Sequence, residues 1–155
     1  MEQWLHLEGS IARLRFRVTY SGERSHAPRH QELPALFVQP QLDTLVCATA
    51  AGALERHQPG FPNQRVPVTG GWLAWVDAKD QGIGLWCPHV KEATCYRVRN
   101  GNQGDCSYAA PLQTFALTPG LKFEYETALV IGSLGEIQEQ MRILNTAAAT
   151  RLKAQ

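Results

Sequence analysis

The sequence lacks a charge imbalance, a long apolar run and a leader-like start, and each absence excludes a class of protein. Fifteen basic side chains nearly cancel fourteen acidic ones, leaving a net charge of +1, so the composition indicates neither nucleic acid nor an anionic membrane as a partner. No stretch approaches the roughly 18 apolar residues of a membrane-spanning helix. Residues 1–8 show neither the basic start nor the continuous apolar stretch of a secretory signal. These features predict a soluble chain that is cytoplasmic as given.

Paired-cysteine motifs and the familiar catalytic motifs are absent too. The four cysteines form no C-x-x-C pair, so zinc-ribbon and thioredoxin sites are not indicated, and we expect buried thiols. In an exported chain, Cys95 and Cys106 could close a short loop. There is no P-loop, G-x-S-x-G elbow or H-E-x-x-H, and Gly82-Ile-Gly84 does not extend into a dinucleotide fingerprint. We therefore predict neither a metal nor a cofactor.

Period-two alternation is the strongest pattern that the sequence does contain. Between Ile11 and Tyr20, apolar residues alternate with three arginines, which is typical of a strand with one apolar and one solvated face. Apolar runs at 72–77 and 83–87, joined by a short Asp/Gly connection, predict a hairpin. Residues 58–67 hold three prolines and predict a loop. Further strands are predicted at 36–38, 42–49, 94–98, 107–110, 114–117 and 122–131.

The end of the chain predicts a helix. Ser133 and Glu136 have the spacing of a capping box, with Ser at the N-cap and Glu three residues later. Apolar residues then recur at helical spacing up to Leu152, and Lys153 lies where a cation complements the helix dipole. A length of 155 residues is about one domain. We predict a single mainly β domain over 1–155, an antiparallel β-sandwich with one C-terminal amphipathic helix at about 133–153.

A polar segment from His26 to Glu32 is the first candidate site. In an extended chain His26, His30 and Glu32 share one parity, and Arg29 lies between them. Two imidazoles and a carboxylate could contact a polar ligand, share acid–base work or, least favoured, hold a metal. The favoured alternative is a polar loop that satisfies its own backbone groups.

Tryptophans in the predicted hairpin are the second candidate. Trp72 and Trp75 have opposite strand parity, so at least one faces the core, and Trp86 lies on the returning strand. An exposed aromatic ring beside polar side chains is how a protein stacks on a sugar ring. Burial in a β-sandwich core is the alternative for each of them.

Residues on either side of an Asn/Gly-rich loop are the third candidate. The loop could hold Arg97, Asp105 and Tyr108 close together, with Tyr96 beside them. Arg97 could clamp the carboxylate of a ligand. A plain surface pair between Arg97 and Asp105 is the commoner explanation.

Several segments together resemble the C-terminal β-sandwich region of larger, often exported microbial proteins. Those proteins are carbohydrate-related and have a galactose-mutarotase-like supersandwich character. The segments are His30–Ala35, Leu42–Val46, Trp72–Asp77, Gly82–Trp86, Gly104–Tyr108, Pro119–Tyr125 and Ile131–Ile137. The resemblance spans roughly residues 10 to 145, about half of a full supersandwich. It implies either a binding face without the parent chemistry or a site rebuilt by pairing with a second copy through edge strands.

The leading functional hypothesis is non-catalytic binding of a carbohydrate or similar polar small molecule. Tryptophan and tyrosine rings would be the platforms, and His30, Glu32 and Arg97 the polar contacts. One alternative is a saccharide-active hydrolase, lyase or epimerase with Glu32 as general base and His26 or His30 as acid. The other is a homo-oligomeric interaction module, most simply a homodimer. The candidate ligand-binding residues are His26, Arg29, His30, Glu32, Trp72, Trp86, Tyr96, Arg97 and Tyr108.

Overall fold

Twelve β-strands precede one α-helix in the computed structural model, which describes the backbone of residues 1–153 and the side chains of residues 1–151. The strands of the first half are β1 (Glu2–Glu8), β2 (Ile11–Thr19), β3 (His26–Glu32), β4 (Leu36–Val38), β5 (Thr44–Ala48) and β6 (Leu54–His57). The second half contains β7 (Gln64–Pro67), β8 (Trp72–Val76), β9 (Gln81–Trp86), β10 (Glu92–Val98), β11 (Cys106–Leu117), β12 (Lys122–Ser133) and α1 (Leu134–Lys153).

The strands form two antiparallel sheets. The seven-stranded sheet has the order β1-β2-β12-β9-β8-β5-β6, and the five-stranded sheet has the order β3-β11-β10-β7, with β4 also paired to β11. Packing the two sheets face to face makes a β-sandwich, so the predicted fold class is confirmed. The two longest strands, β11 and β12, lie inside their respective sheets, and each pairs with strands on both sides.

Two cores lie on opposite faces of the seven-stranded sheet. The core between the sheets contains Leu73, Trp75 and Leu85 from the larger sheet and Ala93 and Ala109 from the smaller one. The second core lies between the seven-stranded sheet and α1. It is formed by Val46, Ala48, Trp72, Ala74, Val76, Trp86, Ala128, Val130, Leu134, Ile137, Met141 and Leu144. The molecule therefore has three layers, and the larger sheet is the middle one.

Glycine at position 84 lets the helix approach the sheet closely. A Cβ atom at Gly84 would lie 2.5 Å from Cγ2 of Ile137 and 2.7 Å from Cε of Met141. Both of these helix side chains are fully buried. The predicted apolar stripe of α1 is thus confirmed up to Ala148, whereas the side chains of Leu152 and Lys153 lie outside the described residues.

The predicted helix and most predicted strands are confirmed, with five corrections. The capping box is present: Ser133 N and Oγ both donate to Oε2 of Glu136, and Glu136 N donates to Oγ of Ser133. The two strands predicted at 107–110 and 114–117 are one strand, β11. It pairs with β10 up to Pro111 and, on its other side, with β3 from Leu112 onward. The predicted loop at 58–67 contains β7, and residues 26–32, for which the sequence favours a polar loop, form β3 because they pair with β11. Two further strands are not predicted by the sequence: β1, which pairs with β2 over its whole length, and β6, which pairs with β5.

Among residues 1–153, no helix combines the length and the apolarity that crossing a membrane would require.

Candidate functional site

A row of aromatic rings crosses the outer face of the five-stranded sheet, the face turned away from the larger sheet. Ala109 of β11 belongs to the core between the sheets, so Tyr108 points outward. Tyr108 lies directly opposite Phe37 of β4 on one side and Tyr96 of β10 on the other. The ring centroids are 4.7 Å apart for Phe37 and Tyr108 and 4.4 Å apart for Tyr96 and Tyr108. We call Phe37, Tyr108 and Tyr96 the aromatic row.

Phe61 extends the aromatic row beyond Tyr96. Its ring meets that of Tyr96 edge-on, with centroids 5.8 Å apart. Phe37 and Phe61, at the two ends, are 60% and 72% exposed, whereas Tyr108 in the middle is buried. Neighbouring rings therefore hold Tyr108 in place, and both ends of the row present aromatic surface to solvent.

Glu32 and His30 lie on the same outer face. Glu32 pairs with Leu112 and His30 with Thr114 in the β3–β11 register, and Nδ1 of His30 is 2.8 Å from Oγ1 of Thr114. Burial raises the pKa of Tyr108 well above its usual value, and hydrogen bonding and charge interaction with Glu32 raise it further. Burial is also the main cause of the raised pKa of Tyr96, to which the charges of Cys106 and Glu32 add. The Glu32 carboxylate therefore acts on both hydroxyl-bearing rings.

A shallow cleft rich in amides opens at the Phe37 end of the row. Its volume is about 520 Å³, and its lining includes Phe37 and four side-chain amides, from Gln39, Gln41, Asn102 and Gln103. We call it the amide cleft. Its wall is held by Asp105, whose carboxylate accepts hydrogen bonds from the backbone N–H groups of Asn100 and Gly101. These bonds, above all the one from Asn100, hold the pKa of Asp105 below its ordinary value.

His26 does not share the face of His30 and Glu32. A register shift between Phe115 and Leu117 places His26 opposite Leu117, on the other face of β11. There Nε2 of His26 lies 2.9 Å from the hydroxyl of Tyr20. Arg29 pairs with Phe115 and is exposed. The shared parity expected for the three polar residues is thus broken by one bulge.

Arg97 contacts backbone carbonyls rather than Asp105 or a tyrosine. Its Nε donates to the carbonyl oxygen of Pro59 at 2.8 Å, and Nη1 donates to that of Asp43 at 3.1 Å. Arg97 pairs with Ser107, so it projects from the face opposite to Tyr108. These bonds tie two loops to the end of β10, a structural role for this guanidinium.

Trp72 and Trp86 are buried under the helix. Nε1 of Trp86 donates to Oδ1 of Asn145 in α1 at 2.8 Å, and Nδ2 of Asn145 donates to the carbonyl oxygen of Gly70. Trp72 and Trp86 face each other across β8 and β9. Trp75 faces the other core, as its parity predicted. Trp86 and Trp72 are only 6% and 5% exposed, although each of them lines a surface cavity.

The grooves along the helix are lined by compensated charges. Trp86 lines a cavity of about 390 Å³ together with Arg15, Glu124, Glu126 and Arg151. Arg15 and Arg17 both pair with Glu124, and Arg151 lies 3.4 Å from Glu126. Arg13, which also lines this cavity, pairs with Glu8, and Arg17 also lies 3.6 Å from Glu2. Because each of these arginines has a carboxylate partner, little net charge is left for an ionic ligand.

The structure therefore brings four of the nine predicted residues to one face, His30, Glu32, Tyr96 and Tyr108. Sequence reasoning missed Phe37 and the four amides of the cleft. Phe37 lies in a three-residue strand, and the amides follow β4 and precede β11. Their only local signal was the Asn/Gly-rich composition of residues 99–105, because strands far apart in the chain bring them together.

No family model and no curated protein matches this sequence. The Slr1438 protein from Synechocystis sp. PCC 6803 aligns with 83% of this chain and 53% of its own, at 11% identity and a TM-score of 0.46. A galactose mutarotase related enzyme from Lactobacillus acidophilus aligns with 83% of this chain and 60% of its own, at 10% identity and a TM-score of 0.48. The chain thus spans less than two thirds of either structure.

Proposed function

We propose that this chain binds a neutral carbohydrate without chemical change, at the amide cleft and the Phe37 end of the aromatic row. The observation that carries the proposal is the exposed ring of Phe37, which belongs both to the row and to the cleft lined by four amides. A sugar presents an apolar ring face and a rim of hydroxyl groups. An aromatic ring covers the first, and amides, which both donate and accept hydrogen bonds, satisfy the second.

Charge in the site supports a neutral ligand. Both carboxylate oxygens of Asp105 accept backbone hydrogen bonds, so this side chain is engaged in holding its loop. Burial is the main cause of the raised pKa of Tyr108, and hydrogen bonding to Glu32 adds to it, so the carboxylate of Glu32 lies beside this tyrosine. Oδ1 of Asn102 accepts from Gly104 N at 2.8 Å. The three glutamine amides and Nδ2 of Asn102 therefore supply the hydrogen-bonding groups of the cleft.

Replacing Phe37 tests this function against a matched control. A Phe37→Ala variant is expected to weaken sugar binding about tenfold or more, because burying such a ring stabilises a complex by roughly 1.5–3 kcal/mol. Phe61→Ala removes a ring of the same type and similar exposure at the other end of the row, and should leave binding nearly unchanged. A glycan array would find the ligand, and titration calorimetry would measure the dissociation constants. Failure of every sugar on the array to bind would refute the proposal.

A saccharide-active enzyme is the second candidate, favoured by the position of His30 and Glu32 two residues apart on one face of β3. In that case a carboxylate and an imidazole would act as base and acid on a sugar held against the aromatic row. Any hydrolytic, eliminating or epimerising activity would then be lost in a Glu32→Gln variant, while sugar binding at Phe37 would persist. Activity that survives this substitution rules out the enzyme hypothesis.

A further inference from the structure

The first strand leaves an open edge on the seven-stranded sheet. β1 pairs with β2 in unbroken register from Glu2 to Glu8, and its other edge has no neighbour among the described residues. Natural sheets usually protect such an edge with lysine, proline or a bulge. The strand Glu-Gln-Trp-Leu-His-Leu-Glu has none of these, and its charged residues, Glu2 and Glu8, lie only at its two ends. The unpaired backbone groups of β1 are therefore available to another strand.

Apolar side chains along this edge are exposed as well. Leu5 and Leu7 are 58% and 69% exposed. They lie on the same face as Leu14 and Ala12, their partners in β2. Ala12 pairs in turn with Leu129, which packs against the core between the sheets. The apolar surface of this core therefore continues to the edge of the larger sheet, where Leu5 and Leu7 are uncovered. We call these two residues the leucine strip.

We propose that a second copy of this chain pairs antiparallel with β1, with His6 on the twofold axis. Two seven-stranded sheets then become one continuous sheet across the dimer. In this register Leu5 lies opposite Leu7 of the partner subunit, and Leu7 opposite the partner's Leu5. Both leucine strips join, and four exposed leucines cover one another.

The pairing of side chains distinguishes this register from registers with the axis at Leu5 or Trp4. Glu8 lies opposite Trp4 of the partner subunit, and within one chain the guanidiniums of Arg15 and Arg17 lie 5.7 and 5.4 Å from the Trp4 ring. Each Glu8, which pairs with Arg13 of its own chain, then lies near the Arg15 and Arg17 side chains of the other copy, which pair with Glu124. An axis at Leu5 would place Glu2 against the partner's Glu8 and each Leu7 against a glutamine. An axis at Trp4 would leave no leucine opposite a leucine.

The dimer is independent of the carbohydrate site, because β1 and the aromatic row belong to different sheets. Analytical ultracentrifugation of the whole chain at micromolar concentrations is expected to show twice the mass of one chain. A Leu5→Lys/Leu7→Lys variant should raise the dissociation constant roughly a hundredfold or more, since each leucine loses its apolar burial. Ile143→Lys, which charges an exposed apolar residue of α1, should leave the dimer intact.

Cross-linking tests the register even if the lysine variant fails to fold. In a Cys106→Ser background, a His6→Cys variant should form a disulfide-linked dimer on mild oxidation, because residues directly opposite have Cα atoms about 4.5–5.5 Å apart. Trp4→Cys should not, since two copies of that residue would be about 13 Å apart along the strands. A wild-type chain that stays monomeric, a dimer that persists in the lysine variant, or cross-linking at position 4 instead of position 6 overturns the proposal.

Discussion

Single side chains determine how the helix is attached to the sheet. Asn145 is the clearest case, because its amide oxygen accepts from Nε1 of Trp86 and its amide nitrogen donates to the carbonyl of Gly70. One residue thereby joins α1, β9 and the loop before β8. A buried indole N–H without an acceptor carries a desolvation cost, so this bond specifies the position of the helix as well as stabilising it.

Replacing Asn145 tests whether its hydrogen bonds attach the helix to the sheet. An Asn145→Leu variant is expected to lower the free energy of unfolding by about 1–3 kcal/mol, because Trp86 Nε1 and the Gly70 carbonyl both lose their partner. Gln138→Leu, on the exposed side of the same helix, should change it by less than about 0.5 kcal/mol. Urea titrations followed by circular dichroism compare the two. Equal stabilities for both variants would show that the amide is not what anchors the helix.

One extra residue in β3, beside the aromatic row, changes which polar side chains face the candidate site. The bulge in β3 turns His26 toward Tyr20, whereas His30 and Glu32 stay on the outer face. A strand without that bulge would display all three residues together, as their spacing in the sequence predicts. The position of a single extra residue therefore separates one imidazole from the candidate site.

Packing of whole elements depends on backbone approach as much as on apolar side chains. The helix stripe meets β9 at Gly84, where a Cβ would collide with Ile137 and Met141. The cap at Ser133 begins the helix directly after β12, so no loop separates the two elements. Sheet and helix are consequently held at both the cap and the glycine contact.

Two glycine substitutions should have opposite effects on this packing. Gly84→Ala is expected to destabilise the fold by roughly 1–3 kcal/mol, because the added methyl overfills the core under α1. Gly135→Ala lies in the first turn of the helix, where a Cβ would have no atom within 4 Å, and should stabilise by up to about 1 kcal/mol. Thermal unfolding of the pair measures both signs. A Gly84→Ala variant as stable as the native chain would contradict the close approach.

At the level of the whole molecule, the two sheets enclose the thiols. All four cysteines are free, with Cys47, Cys87 and Cys95 buried and Cys106 half-buried. Burial raises the pKa of Cys47 to about 12 and that of Cys95 to about 11. Burial also raises the pKa of Cys87 strongly. The expectation of buried thiols is confirmed for three of the four.

Thiol labelling then reports on the integrity of the sandwich. Because the thiolate is the reactive form, raised pKa values keep the three enclosed cysteines protonated and unreactive near neutral and mildly alkaline pH. Ellman's reagent should therefore label Cys106 alone in the native protein and all four cysteines after unfolding in urea. The Cys106→Ser variant should show no rapid labelling. Rapid reaction of two or more thiols in the native chain would show that the sheets do not enclose them.

The sequence by itself determined the local elements of this protein. Alternation of apolar and arginine residues predicts β2, paired apolar runs predict the β8–β9 hairpin, and the capping box predicts the start of α1, because each of these signals lies within a few residues. It also determined that Trp72 and Trp75 face opposite ways, since strand parity is a property of the chain alone.

Only the tertiary structure decided which of these residues reach solvent and which meet. Phe37, Tyr108 and Tyr96 come from three strands, and their pairing register brings their rings together. Burial of Trp72 and Trp86 required the helix to cover them, and the split of His26 from His30 required a bulge. These outcomes depend on contacts between distant segments, whose register and burial are settled by packing across the whole sheet rather than by neighbours in the chain.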